Sequence, residues 1–151
     1  MPVEILNQTG KRMVLVPMRL ALEAGLRDLN REDASLQVVI LVNDEIRALN
    51  RETRQVDAET DVLSFPAPSL PGFENWLGEI AISIDFARAQ ATIRNVRVVD
   101  ELAMLAVHGL LHLAGWDDET EGDRQKMVDR QNQILTSAGL PTDADWHSLP
   151  H

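Results

Sequence analysis

The order of strand-like and helix-like segments is the feature that most constrains the fold of this chain. Short β-branched or alternating apolar runs are typical of strands, and they all precede residue 84, at 3–8, 36–43, 60–66 and 77–83. Apolar residues at helical spacing predict helices at 18–30, 45–52, about 85–96, 101–114 and from Thr120 to near Gly139. This order predicts an α+β fold, in which helices pack on one mixed sheet within a single domain, 1–151.

Residues with known capping preferences mark the ends of the helices. The candidate N-caps are Asn43 or Asp44, Ser83 or Asp85, Asp100, and Thr120 with Asp123. Gly115 is expected to end the fourth helix in a left-handed conformation. The stretch 67–76 holds two prolines and a glycine and is typical of a loop. The tail, 141–151, is polar and is expected to be frayed.

The amino-acid composition of the chain excludes several classes of function. The chain contains no cysteine, which excludes thiolate catalysis and cysteine-ligated metal, so that a metal site must use histidines and carboxylates. The N-terminus does not resemble a secretory signal and no apolar run is as long as a membrane span, so we expect a soluble, cytoplasmic protein without a membrane partner. The net charge of −10 argues against non-specific nucleic-acid binding. Arg47, Arg51 and Arg54 could form a local basic surface or merely a solvated helix face.

The stretch HGLLHLAGWDD, 108–118, has the spacing of a metal site. His108 and His112 are four residues apart on a predicted helix, which places both imidazoles on one face. Gly115 lets the chain turn back, and Asp118 then lies on the returning segment. The pattern HxxxHxxGxxD matches the ligand spacing of the metzincin signature HExxHxxGxxH, but with Gly109 in place of the general-base glutamate and aspartate as the third ligand.

Alternatives remain at several of these positions. Asp117 could ligate the metal instead of Asp118, or could accept a hydrogen bond from a histidine ring. A glycine within a helix costs about 1 kcal/mol relative to alanine, so Gly109 indicates close approach of another element or of substrate. His147 and His151 lie in the tail and are expected to be exposed rather than ligands.

Three stretches resemble motifs of the YbeY family of bacterial endoribonucleases, or rRNA maturation factors. TDVLSFP (60–66) is similar to the family's PTDVLSFP, with Glu59 where proline is usual. LGEIAIS (77–83) is similar to LGDIxIS, and HGLLHLAGWDD is similar to HGxLHLxGYDH. The motifs agree in order and spacing, and the resemblance spans about 36 to 138.

The resemblance implies a fold, a site and a function. The fold is a small α+β domain with a zincin-like metal-site helix, and the family's ligand positions fall on His108, His112 and Asp118. The family's arginine for RNA handling is best matched by Arg54, which could alternatively be a helix-end cation facing water. The implied activity is metal-dependent endoribonuclease cleavage in ribosomal RNA processing, notably at the 3′ end of the small-subunit rRNA, and in ribosome quality control. The implied partners are ribosomal RNA and the small ribosomal subunit with its proteins.

The third ligand departs from the family's histidine. Two neutral histidines and one carboxylate leave a zinc centre with a net charge of about +1, against +2 for three histidines. A less positive centre is a weaker Lewis acid, and the harder oxygen ligand makes other divalent metals, such as manganese or nickel, more competitive. We therefore expect one zinc ion, with altered metal preference or weakened affinity as the consequences of Asp118. A metalloprotease or other metal hydrolase, and a non-catalytic ribosome-assembly factor with a structural metal, are the alternative functions; the general base and the oligomeric state stay open.

Overall fold

Four strands form one mixed sheet in the computed structural model, which describes residues 2–149. The elements in chain order are β1 (Val3–Asn7), α1 (Val16–Asp28), β2 (Ser35–Leu41), α2 (Asn43–Arg54), β3 (Val62–Pro66), β4 (Trp76–Ser83), α3 (Ile84–Arg94), α4 (Val98–Leu113) and α5 (Glu121–Ser137). The strand order is β1-β2-β4-β3, with β3 antiparallel to β4 and the other neighbours parallel. The expected α+β fold with one mixed sheet is confirmed.

The two inner strands carry the apolar runs that the sequence marks as buried. Val38 of β2 lies opposite Ile80 of β4, and both side chains are fully buried. A strand between two neighbours has all its backbone groups paired, so apolar side chains can be buried there without unsatisfied polar groups. Of the two inner strands, β4 together with its outer neighbour β3 provides the surface on which the most buried helix packs.

Helix α4 lies at the centre of the molecule. Its residues from Asp100 to Leu111 are buried, and it contacts helices α1, α3 and α5 as well as strands β3 and β4. A Cβ atom at Gly109 would lie 2.7 Å from Cγ2 of Ile80, so only glycine allows this separation of helix and strand. The element that approaches Gly109 closely is therefore β4. The glycine allows this approach and so sets the distance between α4 and the sheet.

Two of the expected helix caps are present. Ser83 Oγ accepts a hydrogen bond from the Phe86 N–H at the start of α3, and Thr120 Oγ1 accepts one from the Asp123 N–H at the start of α5. Each bond satisfies one of the backbone donors that a helix leaves free at its beginning. Gly115 has φ +97° and takes the expected left-handed conformation immediately after α4.

The other two expected caps are wrong. Helix α2 begins after Val42, and the Asn43 side-chain oxygen instead accepts a hydrogen bond from the Ser83 hydroxyl at 2.6 Å. Helix α4 begins after Arg97, and Asp100 lies in its first turn, where it pairs with the Arg97 guanidinium at 3.1 Å. In both cases a polar side chain that could have capped its own helix has a different partner.

The C-terminal segment corrects the expectation of a frayed tail. Trp146 is 2% exposed, and its indole N–H donates to Glu101 Oε2 at 3.1 Å. The Leu149 N–H donates to Asp61 Oδ2 at 3.0 Å. Burial of a large indole together with these bonds offsets the entropy of ordering the segment. Of the predicted tail, residues 150–151 lie outside the described residues.

Within residues 2–149, no helix combines the length and the apolar character that crossing a membrane requires.

Candidate metal centre

The C-terminal part of α4 and the turn after it bring three potential ligands together. His108 and His112 lie one helical turn apart on the same face of α4. The chain reverses at Gly115, and the turn is closed by the Trp116 N–H, which donates to the carbonyl of Leu111 at 2.9 Å. This reversal places the Asp118 carboxylate beside the two imidazoles.

The three ligand atoms form a nearly equilateral triangle. His108 Nε2 and His112 Nε2 are 3.2 Å apart, and Asp118 Oδ2 lies 3.5 Å and 3.4 Å from them, respectively. A tetrahedral ion bound at about 2.0–2.1 Å would separate its ligand atoms by about 3.3 Å. The donor set therefore has the spacing and the chemistry to bind one divalent metal ion.

Hydrogen bonds around the triangle distinguish the two aspartates. His112 Nδ1 lies 3.1 Å from the carbonyl oxygen of Trp116, a contact that favours the tautomer with a free Nε2 lone pair. Asp117 Oδ1 accepts a hydrogen bond from the Glu119 N–H at 2.9 Å, within the acidic turn. Neither proposed role of Asp117 is seen, and the geometry favours Asp118 as the third ligand.

The electrostatics of the triangle favour the protonation states that bind metals. Hydrogen bonding to His108 and the positive charge that both imidazoles carry when protonated lower the pKa of Asp118 to about 2. Burial, together with the proximity of His108, lowers the pKa of His112 from its ordinary value. A carboxylate and a neutral imidazole are the forms in which these residues donate an electron pair to a cation.

A cleft of about 230 Å³ opens beside the triangle. Its lining consists of His112 and Asp118 from the triangle together with Arg54, Val62, Ser64 and Pro66. The Arg54 guanidinium donates to the carbonyl oxygen of Ser64 at 3.0 Å and lies 5.8 Å from the centre of the Phe65 ring. The end of α2 and strand β3 therefore place a cation at the entrance to the candidate metal centre.

The other two arginines of the predicted basic surface are placed differently. Arg47 forms an ion pair with Asp57 at 2.8 Å, and Arg51 lies 3.7 Å from the same carboxylate. Arg54 has no carboxylate partner within 4.0 Å in the part of the chain that the structure describes, so its charge is not neutralised locally. One arginine, rather than a basic patch, faces the cleft.

Sequence reasoning missed two residues at the site. The Ser64 hydroxyl donates to the Gly109 carbonyl at 3.2 Å and so joins β3 to the metal-site helix. The Trp146 ring lies 4.9 Å from the His108 ring, between ring centres. A tryptophan within an otherwise polar tail was the available signal for the second contact. His147 is exposed, as expected, and His151 lies outside the described residues.

Comparisons with known proteins point to one family. The model of the family described as Endoribonuclease YbeY matches residues 9–139. A protein named Endoribonuclease YbeY from Anaeromyxobacter dehalogenans is 41% identical over 123 residues, which cover 82% of this chain and 64% of that protein. One of the same name from Acholeplasma laidlawii is 41% identical over 119 residues, 79% of this chain and 85% of that protein. The solution structure of TM1509 from Thermotoga maritima has a TM-score of 0.64 and 27% identity, and the match covers 90% of this chain and 88% of that one.

Proposed function

The chain belongs to the YbeY family, and from this premise we propose that it is a metal-dependent endoribonuclease that acts on ribosomal RNA. The observation that carries the proposal is the triangle of His108, His112 and Asp118, which borders a cleft that Arg54 also lines. The proposed role is processing of the 3′ end of the small-subunit rRNA and ribosome quality control in the cytoplasm. The small ribosomal subunit and its proteins are the proposed partners.

The proposed metal is a single zinc ion held by the triangle. When bound, the ion supplies Lewis acidity toward a phosphate oxygen and makes a water molecule more acidic. Because Asp118 brings a negative charge, the centre is less positive than one with three histidines, and manganese or nickel compete more effectively. This chain should therefore accept a broader range of divalent metals than a relative with a third histidine.

The protein's own contribution to the reaction is to position the phosphodiester. Arg54 is held by the Ser64 carbonyl through one of its five N–H donors, which leaves other donors for a phosphate oxygen. Its unpaired positive charge neutralises the negative charge that develops on the phosphate in the transition state. The contact with the Phe65 ring restrains the guanidinium, so that less conformational entropy is lost when the phosphate binds.

The charge of the whole chain supports a narrow engagement with RNA. The net charge is −10, and the ion pairs of Arg47 and Arg51 with Asp57 reduce the positive charge near the cleft. Non-specific affinity for RNA needs many cations. We therefore propose that a ribosomal protein partner guides the RNA to the cleft.

A metalloprotease is the less favoured alternative. The glutamate that acts as general base in HExxH proteases would fall at position 109. There the helix faces Ile80 at van der Waals distance, which leaves no room for a side chain. A purely structural metal is also less favoured, because structural sites are closed, whereas His112 and Asp118 line an open cleft.

The activity test uses purified protein and a single-stranded fragment of small-subunit rRNA. We expect cleavage that a chelator abolishes and that zinc or manganese restores, together with no cleavage of peptides. His112→Ala should abolish RNA cleavage while circular dichroism shows a folded protein. Cleavage that persists in the chelator, or a parent protein that cuts peptides and not RNA, would overturn the proposal. A parent with no cleavage whose His112→Ala variant lost only stability would support the structural alternative.

The role of Arg54 is tested by a matched pair of variants. Arg54→Ala should lower the cleavage rate by at least about tenfold, because a cation that stabilises developing charge is worth several kcal/mol. Arg51→Ala removes an arginine from the same helix, one that faces Asp57 rather than the cleft, and should leave the rate near that of the parent. Equal losses in both variants would assign the effect to general charge and not to the position of Arg54.

A further inference from the structure

Residues 143–149, the C-terminal segment, contact the metal-site helix although they follow the part of the chain that the family model matches, 9–139. Three of their contacts converge on Arg94 of α3, whose guanidinium donates to Asp143 Oδ2 at 3.2 Å and to the His147 carbonyl at 3.0 Å. The same guanidinium lies 5.4 Å from the centre of the Trp146 ring. The segment is therefore attached at both sides of the tryptophan.

A buried ion pair holds this attachment point in place. Arg94 Nε donates to Glu101 Oε1 at 2.9 Å, with the side chains 7% and 0% exposed. The other carboxylate oxygen of Glu101 accepts the indole N–H of Trp146. Because Glu101 is two turns before His108 on α4, the indole is held along the same helix face as the candidate ligand.

The two histidines are oriented by different means. His112 has a polar partner, the Trp116 carbonyl, at its Nδ1 atom. His108 Nδ1 is buried and has no protein hydrogen-bond partner among residues 2–149. Its ring instead packs against Trp146, with 4.9 Å between ring centres and 48° between the ring planes. The flat aromatic side chain restrains the imidazole on the side where its Nδ1 atom has no hydrogen bond.

The segment also closes one side of the ligand triangle. A cavity of about 30 Å³ lies on this side, and its lining includes His108, Asp118 and Trp146. The cleft that Arg54 lines measures about 230 Å³. Of these two spaces, only the cleft is large enough to admit a phosphodiester.

We propose that Trp146 is a positioning residue, which orients His108 for metal binding while the C-terminal segment covers the centre next to His108. The proposal rests on the metal centre of the proposed function. It assigns a role in that centre to a segment outside the matched part of the chain.

The test measures zinc affinity of the full chain by competition with a chromophoric chelator, so that it does not depend on RNA cleavage. Partners that orient metal ligands typically contribute 10–100-fold in affinity. Trp146→Ala should therefore weaken zinc binding by at least about tenfold. Trp146→Phe keeps a ring against His108 and loses only the bond to Glu101, so its affinity should stay within about threefold of the parent. Trp76→Ala, at a half-buried tryptophan on β4, is the matched control and should leave zinc affinity unchanged.

Thermal unfolding of each variant separates positioning from stability. A folded Trp146→Ala variant with the zinc affinity of the parent would overturn the proposal, and so would an equal loss of affinity in Trp76→Ala. If Trp146→Ala does not fold, Trp146→Leu, which keeps an apolar side chain without a flat ring, takes its place in the same comparison. A parent that binds zinc but does not cleave RNA would contradict the proposed function alone, whereas a parent that binds no zinc would overturn both.

Discussion

At position 118 a carboxylate completes a triangle with two imidazole nitrogens. Aspartate is shorter than histidine, and the turn from Gly115 brings its Oδ2 atom to within 3.4–3.5 Å of both Nε2 atoms. The neighbouring Asp117 is bound to its own turn and lies outside the cluster. Asp117 and Asp118 are adjacent and chemically identical. The turn distinguishes them, because it directs only the Asp118 carboxylate toward the two imidazoles.

The pair of aspartates permits a matched test of this assignment. Asp118→Ala should weaken zinc binding by more than about tenfold, because losing a ligand exceeds the usual effect of losing a residue that only orients one. Asp117→Ala removes a carboxylate of the same acidic turn and should bind zinc like the parent. Zinc content and dissociation constants, measured by elemental analysis and chelator competition, decide the matter. Unchanged metal retention in Asp118→Ala would remove Asp118 from the ligand set.

Among the elements, α4 joins the hydrophobic core to the metal centre. Its Gly109 contacts Ile80 of β4, and its Gly109 carbonyl accepts the Ser64 hydroxyl of β3. The candidate ligand His108 is the residue that precedes Gly109 in the helix. The distance between helix and sheet therefore sets the position of the ligand, which links core packing to the geometry of the site.

A methyl group at position 109 should disturb this packing. In Gly109→Ala the new Cβ would lie 2.7 Å from Ile80 Cγ2, and overpacking of this kind typically lowers the free energy of unfolding by about 1–3 kcal/mol. Gly122→Ala, in the first turn of α5 with no atom within 4 Å of the new Cβ, should leave stability unchanged or raise it by up to about 1 kcal/mol. Chemical denaturation measures both. If Gly109→Ala were as stable as Gly122→Ala, α4 could move away from β4 without cost, because both variants gain the same helix propensity.

The buried carboxylate of Glu101 makes the link between α3, α4 and the C-terminal segment sensitive to pH. Burial, which outweighs the opposing effect of Arg94, raises the pKa of Glu101 above its ordinary value of 4.5. Above pH 4.5, the folded state therefore retains the carboxyl proton of Glu101 more strongly than the unfolded state does. The contribution of Glu101 to stability therefore falls as the pH rises from 4.5 through the raised pKa.

The glutamine in a Glu101→Gln variant has no carboxyl proton to lose, so the stability of the variant does not change with the titration of position 101. The free energy of unfolding of the variant minus that of the parent should increase as the pH rises through that window and should then level off. Denaturation curves collected over a series of pH values supply the difference and cancel the titration of the other carboxylates. A difference that decreases with rising pH would show that the ion pair with Arg94 lowers the pKa of Glu101 instead.

For the molecule as a whole, an acidic chain is proposed to act on a polyanion. The net charge is −10, and Arg54, which has no carboxylate partner among residues 2–149, lines the cleft. Contacts with RNA are then few and local, because most of the surface repels phosphate. Such a protein depends on its site and its partners, rather than on general electrostatic attraction, to select its substrate.

The dependence of RNA binding on salt should therefore be shallow. Each phosphate neutralised on a single strand contributes a slope of about −0.7 to log K against log [salt], so one or two contacts predict a slope of about −0.7 to −1.4. Arg54→Ala should reduce the magnitude of the slope by about 0.7. Fluorescence anisotropy with a short single-stranded rRNA fragment gives these slopes. A slope steeper than about −3 would indicate an extended basic surface that the structure does not explain.

The sequence by itself determined the features that depend on residues close together in the chain. The strand and helix periodicities, the caps at Ser83 and Thr120 and the turn at Gly115 are local, and so is the four-residue spacing that puts both imidazoles on one helix face. Local geometry follows from local residue types because the backbone has few conformations. The three stretches that resemble YbeY motifs also indicated the family, and with it an arginine near the site.

Only the tertiary structure decided what depends on distant contacts. It distinguished Arg54 from Arg47 and Arg51 by the position of Asp57 and of the cleft, and it gave the side chain of Asn43 a partner on β4 in place of its expected cap. It also packed Trp146 against His108, although a polar tail predicts fraying. A side chain's partner across the fold depends on how whole elements pack, and the local pattern of residue types does not contain that information.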